Sequence, residues 1–357
     1  MAKLKVGFIG TGRKPERAGP MGYAMAYQHA EAYKKLDSCQ MVACADIVQE
    51  NAAAFAKPYG IGRVYLDYHE MLEKEGLDVV SICTWPKLHA EMAIAVCQAG
   101  VRMCHCEKPM DLTYGGSRKM LEVADEHGTQ LNFNHQRRYG KPFRKTKELI
   151  DSGEIGEVVR MEAGIGDLYD GGTHWVDMLN YFNNEMPPEW VIGQIDARVE
   201  RRVFGAPVEW QGICHVKYSN GVFGLFVTGG EFRAALGVPF RVHGTKGVIE
   251  IAWGPDPGPM LRYWKQGSPD WTPVDCAGEN LHGPGYIDRA IADAVDCLLT
   301  GRECELCARH AMNATEIIFA CYESSRRRAR IDCPLDITDN PLESMIEHGD
   351  VPWKPAE

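Results

Sequence analysis

The chain of 357 residues predicts an α/β protein of two domains. The first, residues 1–135, reads as a Rossmann dinucleotide-binding domain, and the second, residues 136–357, as an α/β domain with a large open, mostly antiparallel sheet. Three observations carry this. The length exceeds that of a usual single domain. Short apolar runs alternate with longer helical ones up to about residue 135, as parallel strands joined by crossover helices do. From Val158 onward the texture changes to longer alternating strands, the pattern of a sheet with one face exposed.

In the first half the strand candidates are Lys5 to Ile9, Gln40 to Ala45, Val79 to Cys83, Arg102 to Cys106 and Gln130 to Phe133. Between them, Met25 to Leu36, Val48 to Tyr59, Leu88 to Ala99 and Gly116 to Glu126 have the apolar spacing of helices. The linking stretch from Gly140 to Gly156 holds one helix and two glycine turns. In the second half, Val191 to Val203, Ile213 to Tyr218 and Val222 to Thr228 read as strands, and Ser219-Asn220-Gly221 as a hairpin between the last two. Helices are expected at Thr173 to Phe182, Ile287 to Leu299 and Ala308 to Ser325.

Composition narrows the function classes. Hydrophobic residues make up 45% and charged residues 25%, and no apolar run approaches a membrane span. Net charge is -10, whereas a nucleic-acid partner requires a basic face, so neither membrane nor nucleic acid is expected as a partner. Met1-Ala2-Lys3-Leu4-Lys5 runs directly into Val6-Gly7-Phe8-Ile9 without the three regions of a signal peptide, which predicts a cytoplasmic protein. The 13 cysteines are an odd number scattered through apolar stretches, where cysteine behaves as a small hydrophobe, and a disulfide framework is not expected. Cys304-Glu305-Leu306-Cys307 has metal-ligand spacing without a second matching pair, and Cys104-His105-Cys106 lies in a strand; no metal is expected.

Immediately after the first strand comes Gly10-Thr11-Gly12, where a dinucleotide fold makes its phosphate turn. The first glycine permits the turn and the second lets backbone approach a pyrophosphate. The third glycine position is irregular, because a loop from Arg13 to Gly22 intervenes. The second strand ends at Asp46, which can accept hydrogen bonds from ribose hydroxyls or cap the next helix. Ile47 follows rather than an arginine, so NAD is favoured over NADP as cofactor. A later strand ends at Thr84-Trp85-Pro86-Lys87-Leu88-His89, whose tip belongs beside a cofactor, with Thr84 and His89 as contacts and Trp85 either covering the nicotinamide or packing. Glu107-Lys108-Pro109 closes the next strand and places one lysine at the mouth of the sheet, since Pro109 blocks regular pairing beyond Lys108.

Together with Arg137-Arg138-Tyr139, Ile150 to Gly156, Asp170-Gly171-Gly172-Thr173-His174, Asp177 and Gly244-Thr245-Lys246-Gly247, these motifs resemble the glucose-fructose oxidoreductase, inositol dehydrogenase and MocA family over nearly the whole chain. The resemblance implies a carbohydrate ligand held between a Rossmann domain and an open-sheet domain. It aligns Lys108, Asp170 and His174 with catalytic positions of polyol dehydrogenases, and Glu107 with the cofactor site beside Lys108.

That chemistry suits the residues. Hydride leaves an alcohol carbon only as the hydroxyl proton is lost, so a base must meet the oxygen. Imidazole titrates near working pH, which makes His174 the acid/base and Lys108 the group that polarises the oxygen. Asp170, four residues earlier, shares a helix face with His174 if the helix begins early, and can bind a hydroxyl or orient the imidazole. Without the family context the same pair reads as a helix cap and a core histidine. His135, Arg138, Tyr169 and Trp175 are candidate substrate contacts, the two aromatics by stacking on a sugar face or else as core.

The leading expectation is an NAD-dependent dehydrogenase of a sugar or polyol, working as a homodimer or homotetramer. The alternative is a redox-neutral NAD-dependent glycosidase or lyase, in which a transient keto-sugar undergoes elimination; the surplus of acid/base candidates, His135 and Tyr169 included, suits that longer sequence. A cofactor-binding sensor is the third reading.

Overall fold

A computed structural model describes residues 2–13, 24–254 and 258–355. The chain forms two compact units. One comprises the chain up to Gln136 with Phe204–Ala206 and Ile287–Ala311; the other comprises Arg137–Val203, Pro207–Tyr286 and the chain from Met312. The first continuous stretch therefore ends one residue beyond the expected boundary, and a later stretch, 287–311, returns to the first unit.

The first unit is built on β1 (Leu4–Ile9), α1 (Met25–Lys34), β2 (Cys39–Ala45), α2 (Gln49–Tyr59), β3 (Arg63–Tyr65), α3 (Tyr68–Glu75), β4 (Val79–Ile82), α4 (His89–Gln98), β5 (Met103–Cys106), α5 (Tyr114–His127) and β6 (Gln130–Phe133). All pairings are parallel, in the order β3-β2-β1-β4-β5-β6 of a doubly wound sheet. The strands β4 and β5 are buried at every position, the reason they read as continuous apolar runs rather than alternating ones. Helix ends follow local chemistry: Asp67 accepts from His69 N at 2.9 Å to start α3, and Thr113 accepts from Gly116 N at 3.0 Å to start α5. α2, α3 and α5 each stop at a glycine with positive φ. β3 and α3 lie beyond the elements expected from sequence; β3 has only three residues, two of them exposed, and carries no periodic signal. The returning stretch docks on β6: Gln130 Nε2 donates to Ala294 O at 2.9 Å, and Phe133 N to Leu306 O at 3.0 Å.

The second unit contains α6 (Lys141–Asp151), β7 (Val158–Ile165), α7 (Asp170–Phe182), β8 (Pro188–Asp196), β9 (Arg202–Val203), the end of β10 (Ala206–Pro207), β11 (Gln211–Tyr218), β12 (Phe223–Gly229), β13 (Phe240–Gly244), β14 (Gly247–Ile251), β15 (Leu261–Lys265), β16 (Thr272–Val274), β17 (Ile331–Asp332) and α10 (Pro341–His348). Of two further helices, α8 (Tyr286–Thr300) belongs almost wholly to the first unit and α9 (Ala308–Arg327) mostly to the second. Nine strands form one sheet in the order β16-β15-β14-β13-β7-β12-β11-β8-β17, antiparallel except for β12 on β7. The Ser219-Asn220-Gly221 hairpin forms as expected, with Gly221 at φ +86° and Lys217 opposite Phe223. The strand expected to run to Val203 stops at Asp196, whose side chain accepts from Arg198 N at 3.0 Å and turns the chain. α9 crosses β8 closely: a Cβ on Gly193 would lie 2.3 Å from Cys321 Sγ, and Gly193 N donates to Ser324 Oγ at 2.9 Å.

Candidate active site

In the first unit, the turn after β1 is organised by Asp46. Its Oδ2 accepts from Thr11 N, Thr11 Oγ1 and Gly12 N, each at 2.9 Å, while Oδ1 accepts from Val48 N at 2.9 Å. Asp46 thus stands at the tip of β2 as a carboxylate ringed by donors, and its contact to the α2 start is an Asx turn. Gly10 and Gly12 take φ of +80° and +60°, which side chains resist, and a Cβ on Gly10 would come within 2.4 Å of Thr84 Cγ2. Gly10, Thr11, Gly12, Asp46 and Thr84 are therefore assembled at the carboxyl ends of β1, β2 and β4, where open parallel sheets bind ligands, and the glycine cradle with an acidic strand tip fits NAD. Most of the Arg13 to Gly22 loop lies outside the described residues.

The segment that carries Lys108 is held on both sides. Behind it, Glu107 is buried; His29 Nε2 lies 2.9 Å from its Oε1, and Asn134 Nδ2 donates to the same oxygen at 2.7 Å. Burial acts to raise the Glu107 carboxyl, but the hydrogen bonds from His29 and Asn134 and the Lys108 charge bring it down to about 2. Ahead of it, the Lys108-Pro109 peptide is cis, and His89 Nδ1 lies 2.8 Å from the Pro109 carbonyl. The other ring nitrogen of His89 lies 3.2 Å from Thr84 O, and burial holds the imidazole below its ordinary pKa. His89 thus braces the Pro109 side of the segment, with one ring N–H to donate and a backbone carbonyl facing each ring nitrogen. Trp85 is 41% exposed, and a Cβ on Gly205 would lie 3.7 Å from its ring.

In the second unit, α7 begins at Asp170, three residues earlier than its apolar spacing predicts. Asp167 is the reason: its Oδ1 accepts from Asp170 N at 2.6 Å and Gly171 N at 3.2 Å, so two of the orphan donors of the first turn are satisfied from outside the helix. With the helix starting there, Asp170 and His174 share one face of α7, and His174 is buried. The helix-cap role considered for Asp170 thus falls to Asp167.

The remaining candidates divide. His135 is buried at the end of β6, and its N donates to Phe133 O at 2.6 Å. Arg138 is fully buried, with Nε 2.9 Å and Nη2 2.6 Å from the Asp177 carboxylate and Nη2 2.8 Å from Glu185. Trp175 is buried, its ring stacked on Phe240 at 4.9 Å with the Arg137 guanidinium 4.4 Å from its centroid. Tyr169 is buried as well.

His29, Asp167 and its neighbour Glu209 escaped the sequence reading. Asp167 had a local signal, an aspartate three residues before a helical run. His29 had none, because its partner is 78 residues away. Cys304, expected to be weighed with Cys307, instead gathers with Cys297 and Asp293, whose ligating atoms lie within 4.8 Å of one another; Arg302 already holds Asp293 Oδ1 at 2.7 Å.

Comparisons with known proteins agree with this layout. A family model described as "Oxidoreductase family, NAD-binding Rossmann fold" matches residues 4–135, and its companion, "Oxidoreductase family, C-terminal alpha/beta domain", matches residues 160–333. The chain is 25% identical to myo-inositol 2-dehydrogenase of Thermotoga maritima over 265 residues, which covers 69% of this chain and 74% of that enzyme. It is 32% identical over 178 residues to inositol 2-dehydrogenase of Pseudomonas savastanoi, spanning about half of either protein (49% of each). Among solved structures, the WlbA dehydrogenase of Bordetella pertussis, in complex with NADH and UDP-GlcNAcA, matches with a TM-score of 0.71 and 21% identity over 94% of this chain and all of that one (100%).

Proposed function

This chain belongs to the Gfo/Idh/MocA oxidoreductase family, and from that membership we propose that it is an NAD-dependent dehydrogenase acting on a ring hydroxyl of a sugar, polyol or sugar derivative. The observation that carries this reading is the clamped Lys108 segment, fixed by His29 and Asn134 through Glu107 and by His89 through Pro109. A lysine on so restrained a backbone is preorganised to donate to a substrate oxygen. Bound NAD supplies the hydride acceptor. Gly10, Thr11, Gly12 and Thr84 would hold its phosphate side and Asp46 its ribose, with Trp85 at the rim. His174 takes the alcohol proton while Lys108 polarises the oxygen on which negative charge develops, and Asp170, one helical turn away, binds a neighbouring hydroxyl or orients the imidazole.

Purified protein incubated with NAD and a panel of polyols, aldoses and glycosides, followed by the absorbance of reduced nicotinamide, tests the proposal. Net NADH formation is the expected result. Glycoside cleavage without NADH would transfer the assignment to the redox-neutral enzyme, and tight NAD binding without turnover of any compound would leave a cofactor-binding protein only.

The exposed face of the nine-stranded sheet carries Ile192 (47% exposed) and Ile213 (49%), with Phe223 stacked on His215 beside them, which suits a homodimer or homotetramer. All 13 cysteines are free thiols and no helix among the described residues is long and apolar enough to cross a membrane; the free thiols support a reducing, cytoplasmic location.

A further inference from the structure

We propose that Asp167 is a positioning residue of the reaction proposed above, fastening the first turn of α7 and so setting where Asp170 and His174 meet the substrate. This rests on the dehydrogenase reading and adds to it a residue outside the family motifs. The geometry is specific. Asp167 is buried, and its Oδ1 receives the backbone N–H groups of Asp170 and Gly171 at 2.6 and 3.2 Å. A Cβ on Gly172 would lie 2.5 Å from Asp167 O, so the helix start is pressed against this residue through backbone as well as side chain. The anchor is itself anchored: Glu209, fully buried, accepts from Leu168 N at 2.7 Å through Oε1 and from the Tyr322 hydroxyl at 2.7 Å through Oε2. A helical element from the far end of the chain thereby holds the residue next to Asp167.

The groups facing Asp167 are Glu209, Asp170 and Arg201, the last with Nη2 3.6 Å from Oδ2, and Tyr322 stands behind Glu209. Burial, then the Glu209 and Asp170 charges, push the Asp167 carboxyl up to about 7, against the pull of the Asp170 N–H and Arg201. The carboxylate form is the stronger acceptor for two N–H groups at a helix N-terminus, where the helix dipole also favours an anion. The fastening therefore tightens as pH rises through about 7, the raised value for this carboxyl, and loosens below it.

The test compares the full chain with its Asp167→Ala, Asp167→Asn and Glu209→Gln variants, using NAD and the polyol that the wild type oxidises fastest. Asp167→Ala removes the acceptor and is expected to lower kcat by about a hundredfold at unchanged NAD affinity, the scale of a small misplacement of reacting groups. Asp167→Asn keeps an acceptor oxygen without a charge; it is expected to recover about tenfold of that loss and to lose one inflection of the kcat–pH profile. Glu209→Gln removes the like charge and is expected to move that inflection to lower pH. Wild-type kcat and an unchanged profile in both Asp167 variants would overturn the proposal. Hydrogen exchange at the Asp170 and Gly171 amides supplies a readout independent of turnover: about tenfold faster exchange in Asp167→Ala supports the fastening, and equal exchange overturns it. Should the wild type oxidise no alcohol, the dehydrogenase reading falls while the exchange measurement still decides the role of Asp167.

Discussion

His29 Nε2 lies 2.9 Å from Glu107 Oε1, a buried hydrogen bond that ties α1, the first helix of the nucleotide-binding unit, to the residue immediately before Lys108. Removing it leaves a buried carboxylate that keeps the Asn134 amide as donor but loses the imidazole. His29→Ala is expected to destabilise the protein by about 2–4 kcal/mol, measured by denaturant unfolding at neutral pH. The sign with pH follows from the depressed Glu107 carboxyl. Its contribution is complete above the unfolded value near 4.5 and is lost as pH falls toward about 2. The variant should accordingly unfold at a higher pH than wild type in an acid titration, and coincident acid midpoints would remove Glu107 from the account.

Lys108→Ala and His174→Ala are each expected to lower kcat by about 10²–10⁴-fold, the range for loss of a general acid/base or a polarising group. NAD affinity, read by nicotinamide or tryptophan fluorescence, should change little. Wild-type turnover in both variants would end the catalytic assignment.

Asp46 accepts three hydrogen bonds from the glycine turn and is also assigned the ribose. Asp46→Ala is expected to raise the Kd for NAD by about 10- to 100-fold, since hydrogen bonds to a charged group contribute about 1.5–3 kcal/mol. An unchanged Kd in a titration calorimeter would discard the ribose role.

Arg138 distinguishes structure from chemistry. With Asp177 and Glu185 both within 3 Å, truncation removes the guanidinium that faces two carboxylates, one of them fully buried, so Arg138→Ala should cost about 3–5 kcal/mol in urea unfolding. In whatever fraction remains folded, KM for the polyol should match wild type; a selective rise in KM without loss of stability would place Arg138 at the substrate instead.

Ile213 is 49% exposed on β11. Ile213→Glu places a charge there and is expected to shift the assembly toward monomer by light scattering, because a desolvated unpaired carboxylate opposes association. The same mass for both proteins would move the interface elsewhere.

The two-domain plan, the parallel pairing of the first sheet and the Gly10, Asp46 and Lys108 strand tips were legible in the sequence, because each depends on local period or on a residue at a strand end. The start of α7 was less so: apolar spacing marks where a helix is packed, whereas Asp167 decides where it begins. Short β3, with two exposed residues, left no pattern to read. Side-chain role was the least legible level. His89, Arg138 and Trp175 have the chemistry of ligand contacts, yet each is engaged by partners that only folding brings near: the Pro109 carbonyl, the Asp177 and Glu185 carboxylates, the Phe240 ring. The sequence by itself determined which family of folds this chain adopts and which residue types stand at its strand tips, since those are consequences of nearest neighbours along the chain. Tertiary structure alone decided which polar side chains are already satisfied, because burial lets a charge or imidazole persist only where distant residues supply its hydrogen bonds.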